Sequence, residues 1–141
     1  MTNIFDELGI RQLQHIGIPV TGIRISESFY KRLGFTNVME ASFLNEGKTG
    51  TCIMMERPGM LIELYQLPDH QLASVRARKD GHIDHIAFDV ADIDKAFTVI
   101  KQAGFSIMEE QPVFLQFWKK GCKYFNITGP DGERLEFNQV L

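Results

Sequence analysis

GHIDHIAFDV, residues 81–90, reads as the opening of a β-strand with a histidine at its mouth. LQHIGIPV, residues 13–20, has the same shape, and the likeness continues along the chain. At an offset of 70 residues His15 falls on His85, Ile16 on Ile86, Val20 on Val90, Ile23 on Ile93, Gly34 on Gly104 and Phe35 on Phe105. Further on the offset grows to 73, and PGMLIELYQL (58–67) lies over DGERLEFNQV (131–140), matching Gly59 with Gly132, Glu63 with Glu136 and Gln66 with Gln139. A series of matches in one order, closing on paired glutamates, marks an internal repeat. The chain is expected to be one domain over 1–141, built from a first module (about 11–68) and a second (about 82–141) joined by the polar segment DHQLASVRARKDG.

Both modules follow one grammar. Ile16, Ile18 and Val20 alternate against His15, Gly17 and Pro19, and Ile86, Phe88 and Val90 against His85, Ala87 and Asp89, which is the period of a strand with two unlike faces. A helix follows. In the second module Asp92 is the expected N-cap, Ala96, Phe97, Ile100 and Ala103 form the apolar stripe, and Gly104 ends the helix in a left-handed turn. In the first, SESFYKRLG carries Phe29, Tyr30 and Leu33 before Gly34. Short strands then return, separated by the turn-forming NEGKTG, RPG and TGPDG. The reading is βαβββ twice: an α+β fold in which a cupped mixed sheet carries its helices on the outer face.

Composition sets the bounds. Hydrophobic residues at 44% and charged residues at 23% suit a globular domain. A net charge of −3 gives no electrostatic case for nucleic acid or an anionic membrane as partner. No apolar run is long enough to span a bilayer, and MTNIFDELGI lacks the features of a secretory signal. Cys52 and Cys122 read as reduced strand residues, so a cytoplasmic protein is expected.

On the first strand of each module the apolar side chains face the helix, which leaves the histidine on the other face. On the last strand Ile62 and Leu64, or Leu135 and Phe137, take the helix side, leaving Glu63 and Glu136 on the histidine side. A mid-strand carboxylate is costly when buried alone. If the sheet curves into a cup, His15, Glu63, His85 and Glu136 converge on its floor. Two neutral imidazoles and two carboxylates match a divalent ion in charge, and mixed nitrogen and oxygen ligation suits Ni, Co, Zn, Mn or Fe. Such an ion binds a substrate carbonyl while a carboxylate moves a proton.

With QHIGIPV and DHIAFDV opening the modules and LIELYQ and GPDGERLEFN closing them, the chain resembles the vicinal oxygen chelate superfamily, which includes glyoxalase I, methylmalonyl-CoA epimerase, extradiol dioxygenases and bleomycin resistance proteins. The resemblance implies a metal set of His15, Glu63, His85 and Glu136, with Glu136 or Glu63 as general base. It is closest to glyoxalase I, a lyase forming lactoylglutathione through an enediolate. Methylmalonyl-CoA epimerases are similar, though a glutamine often stands where this chain has Glu63. An Fe(II) extradiol dioxygenase would use His15, His85 and Glu136 alone, and a bleomycin-type binding protein would use no metal. The implied partners are a small-molecule carbonyl substrate, a thiol adduct among the candidates, and a second copy of the chain in a homodimer.

Arg24, Arg76, Arg78 and Arg134 are the basic candidates for an acidic substrate tail. Arg134 is best placed, two residues before Glu136 on the same face, with a surface position as the competing reading. Phe114, Phe117 and Trp118, in VFLQFWKKGCKYF (113–125), are candidates for an apolar pocket wall, with core packing or a dimer contact as the competing role. His70 and His82 are expected at the surface, and Ile4, Phe5 and Leu8 suggest a short helix docking on a neighbour or on a partner subunit.

Overall fold

The computed structural model describes residues 3–32, 34–78, 83–128 and 134–141. The chain divides into two compact units, one of His15–Asp84 and one of Met1–Gln14 with His85–Leu141. The division falls inside strand β1 (Ile10–Pro19), between Gln14 and His15.

After β1, the His15–Asp84 unit holds α1 (Ile23–Arg32), β2 (Thr36–Asn45), β3 (Lys48–Arg57) and β4 (Met60–Gln66). Its strands run in the order β2-β3-β4-β1. The β1–β4 pair is parallel and the other two pairs are antiparallel. Ile53, Met55, Ile62 and Leu64 from the sheet pack with Ile23 of α1 and with Phe35, and Ile18, Val20 and Tyr30 fill the margins. The β2–β3 hairpin turns through Glu46 and Gly47, both at positive φ, as the NEGKTG turn chemistry implied.

The second unit repeats this plan with β5 (His85–Val90), α3 (Ile93–Gln102), β6 (Val113–Leu115), β7 (Cys122–Thr128) and β8 (Arg134–Val140). Its order is β5-β8-β7-β6, with β5 and β8 parallel. Phe125 and Phe137 stack at 5.0 Å in a core closed by Ile93, Ala96, Val99 and Ile100 of α3. Val99, absent from the expected stripe, is 4% exposed, whereas Ala103 lies on the surface. Phe29 of α1 is also exposed, and Leu33 lies outside the described residues. Gly34 and Gly104 both follow their helices at positive φ, as the repeat requires.

The matched glutamines have a structural reason. The Gln66 side-chain oxygen accepts from the Ile23 N–H at 2.8 Å, and the Gln139 oxygen accepts from the Ile93 N–H at 3.0 Å. Each last strand thus satisfies a backbone donor at the start of its own module's helix. Asp92 adds a second cap, accepting from the Lys95 N–H at 3.1 Å.

One segment differs from the sequence reading. The supposed polar linker forms a 3-10 turn (Asp69–Gln71) and α2 (Leu72–Arg76), because Leu72 and Val75, three residues apart, share one face and are buried. The N-terminal segment is a 3-10 helix (Ile4–Leu8) that docks within its own unit: Leu8 joins the α3 core and Phe5 meets Phe105 edge-on at 6.4 Å. Strand β6 is only three residues long, beginning directly after Pro112, which has no N–H to give a neighbouring strand.

Replacing Gln139 by alanine is expected to lower stability by about 1 kcal/mol, because one helix N–H loses its partner. Urea unfolding of Gln139→Ala measures this, and an unchanged midpoint would remove the capping role.

Candidate functional site

The parallel register of each unit sets its site. Gly17 pairs with Glu63 in one, and Ala87 pairs with Glu136 in the other. Partners in register share a face, so each glutamate stands beside a small residue, with the histidine two positions earlier on the same strand. The His15 Nε2 lies 3.7 Å from the Glu63 Oε2, and the His85 Nε2 lies 3.2 Å from the Glu136 Oε2. Both histidines are buried, His15 at 1% exposure. The sequence expectation that each module sets one histidine beside one glutamate matches these two pairs.

The pairs suit metal ligation. Nitrogen and oxygen ligands at about 2.1 Å and at right angles about an ion stand roughly 3 Å apart. Each pair comes close to that separation. Burial pushes the Glu136 carboxyl up from the usual carboxylate range; His85, the Asn138 hydrogen bond and Arg134 oppose the shift, and Glu109 adds to it. A buried carboxylate raised in this way gains from a cation placed beside it.

The surroundings of the two pairs differ. Beside Glu63 the cross-strand partner is Met54, followed by Met39 on the next strand, and Tyr65 stands opposite Cys52. That wall is largely apolar. Beside Glu136 the partner is Asn126, and Tyr124 stands opposite Asn138. Asn138 Nδ2 donates to the Glu136 Oε1 at 2.7 Å, and Gln14 Nε2 donates to the Asn138 Oδ1 at 3.0 Å. Asp89 is buried and paired with Arg11 at 2.6 Å. Burial, with Glu109 and Glu136 nearby, pushes the Tyr124 phenol up to about 12, which keeps it a hydrogen-bond donor at neutral pH.

These polar neighbours were missed in the sequence. Tyr124, Asn126 and Thr128 alternate along CKYFNIT, and Asn138 stands two residues after Glu136, so period two alone could have found them. Glu109 lies outside any strand and gave no signal.

The other candidates fall as follows. Arg134 is the register partner of His85 and so shares the face of Glu136. Arg24 is bonded to Glu40 and, at 3.0 Å, to Glu27, whose carboxyl Lys31, Asn37 and Arg24 hold down to about 2. Arg78 lies 3.8 Å from Asp84, and Arg76 is exposed on α2. Phe117 is buried, and Trp118 is half-buried at a φ of 65°. Phe114 is 51% exposed, with its ring so close over Gly121 that a Cβ there would sit 2.4 Å from it. Phe43 covers Gly50 in the same way in the other unit. The placement of Phe114 therefore has a packing cause in the hairpin. His70 meets Glu46 at 2.9 Å, and His82 lies outside the described residues.

The family model of the Glyoxalase/Bleomycin resistance protein/Dioxygenase superfamily matches residues 12–137. The chain belongs to this superfamily. It is 30% identical to the uncharacterized protein YwbC of Bacillus subtilis (strain 168) over 139 residues, 92% of this chain and 98% of that protein. Methylmalonyl-CoA epimerase from Mycobacterium tuberculosis shares the fold with a TM-score of 0.74 at 20% identity, over 94% of this chain and 89% of that one. A mutant 4-hydroxymandelate synthase from Streptomyces coelicolor shares it at 0.72 and 14% identity, over 92% of this chain and 48% of that one. The fold is thus the α+β arrangement of paired βαβββ modules that the repeat implied. Among the described residues no helix is long and apolar enough to cross a membrane.

The Glu136 carboxyl should titrate above an ordinary glutamate in metal-free protein, and higher still in Asn138→Ala, which loses a bond favouring the charged form. Because its folded-state pKa stands above the unfolded one, Glu136 costs stability as pH rises through that titration. Carboxyl-carbon NMR reads both midpoints, and a normal wild-type value would contradict the burial argument.

Proposed function

We propose that His15, Glu63, His85 and Glu136 together hold one divalent ion, Ni, Co, Zn, Mn or Fe, and that the protein catalyses proton transfer at the carbon next to a carbonyl. The observation that carries this reading is the same pairing of a buried histidine with a glutamate in both modules, made by the same parallel register. A divalent ion bound there would polarise the carbonyl and stabilise the enolate charge. In this reading Glu136 is the base. Its Oε1 is held by Asn138, while its Oε2 faces His85 and takes the proton. The raised affinity of this carboxyl for a proton suits a base that must later return it. Glu63, from the other module, supplies a second acid–base group on the proposed site.

Two carboxyl groups suit an epimerase, which must remove a proton from one side of a carbon and return it to the other. Likeness to methylmalonyl-CoA epimerases over 94% of the chain supports an acyl-thioester epimerase as the leading reading. One of those, from Streptomyces coelicolor, is in complex with 2-nitronate-propionyl-CoA. The glyoxalase I reaction on a thiol adduct of a 2-oxoaldehyde is the second reading. It is favoured by a carboxylate at Glu63, where epimerases often carry glutamine. Homodimerisation, through the family likeness, and a cytoplasmic location, from the cysteine usage, belong to this proposal.

In deuterated buffer, metal-loaded protein should wash out the α-proton of a 2-methylmalonyl thioester, followed by proton NMR. Glu136→Gln should slow exchange by at least ~100-fold with the metal retained. Full-rate exchange in that variant would remove Glu136 from the role. Turnover of the 2-oxoaldehyde adduct with no thioester exchange would favour the second reading.

A further inference from the structure

Asn126 stands directly opposite Glu136 in the β7–β8 register, on the same face, and is 4% exposed. Its Nδ2 donates to the Glu109 Oε2 at 2.9 Å, and its backbone N–H donates to the Glu109 Oε1 at 2.6 Å. A carboxylate can only accept from these groups, so the amide orientation is fixed: turning it over would set oxygen against oxygen. The backbone oxygen of Asn126 is also occupied, by the Met108 N–H at 2.9 Å. What remains is the side-chain Oδ1, which is buried and has no hydrogen-bond partner among the described residues. Native domains rarely leave such an acceptor dry and unmatched, and those that do tend to have a functional reason.

We propose that the Asn126 Oδ1 is a specificity-determining acceptor, taking a hydrogen bond from a hydroxyl or N–H that the substrate carries beside its reacting carbon. This deepens the proposed function and rests on it only in placing that carbon next to Glu136. Glu109 acts as a positioning residue, because its two bonds hold the amide with the oxygen turned away from it. The substrate class is therefore a carbonyl compound with a neighbouring hydrogen-bond donor.

The test compares two small ketones of similar size, hydroxyacetone and butanone, on the whole protein with and without divalent metal. Hydroxyacetone should bind about tenfold more tightly than butanone, equivalent to one added hydrogen bond, and should move the Asn126 side-chain amide NMR signals. Asn126→Leu should erase the preference. The inference is overturned by equal binding of the two ketones, by no binding of either, or by a preference that survives in Asn126→Leu. Should that variant fail to fold, the wild-type amide signals still decide, since hydroxyacetone that leaves them unmoved contradicts the proposal. Failure of the proposed function would look different: no uptake of divalent metal, with the comparison of ketones on metal-free protein still readable.

Discussion

The parallel pairing of the first and last strands within each unit is the constraint on which the rest depends. It sets Glu63 beside Gly17 and Glu136 beside Ala87, with a histidine two residues before each small partner. Glycine and alanine leave room for a carboxylate to lean along the sheet toward the imidazole. Three residues after each glutamate the chain has crossed to the other face, where Gln66 and Gln139 hold the starts of α1 and α3. One strand thus anchors its helix on one side and presents a carboxylate to the histidine on the other. A slip of one residue would put the glutamate in the apolar core and the leucine on the polar face.

The two modules have kept this device and diverged around it. The histidine–glutamate pairs, the capping glutamines and the aromatic rings over Gly50 and Gly121 recur. The neighbours of the pairs do not. Met39 and Met54 lie beside Glu63, whereas Asn126, Asn138 and Tyr124 lie beside Glu136. The proposed ion would take the same groups from each module, so duplication would serve it, and the proposed recognition of an asymmetric substrate would draw on the positions that differ.

The sequence made the repeat legible because period-two alternation exposes a polar residue on an otherwise apolar strand. His15, Glu63, His85 and Glu136 stood out for that reason, and so did the left-handed glycines after the helices. Context-dependent features were harder to read. Leu72 and Val75 sit in a run of polar residues whose helical face becomes visible only once they are buried. Phe114 reads as a pocket wall or a packing residue from its apolar type alone, and the Gly121 beneath its ring is visible only in the fold. Glu109 joins the polar network from an irregular segment, where no periodicity points to a partner seventeen residues away.

The central claim is that one histidine and one glutamate from each module hold a single divalent ion. Metal analysis of protein purified without chelator or a nickel column tests it, repeated on His15→Ala and on Glu136→Ala, each checked for folding by circular dichroism. About one divalent ion per chain is expected in the wild type, lost in both variants, because removing either module's ligand leaves an incomplete set. No bound ion and none taken up on titration, or an ion that persists when one module's ligand is removed, would contradict it.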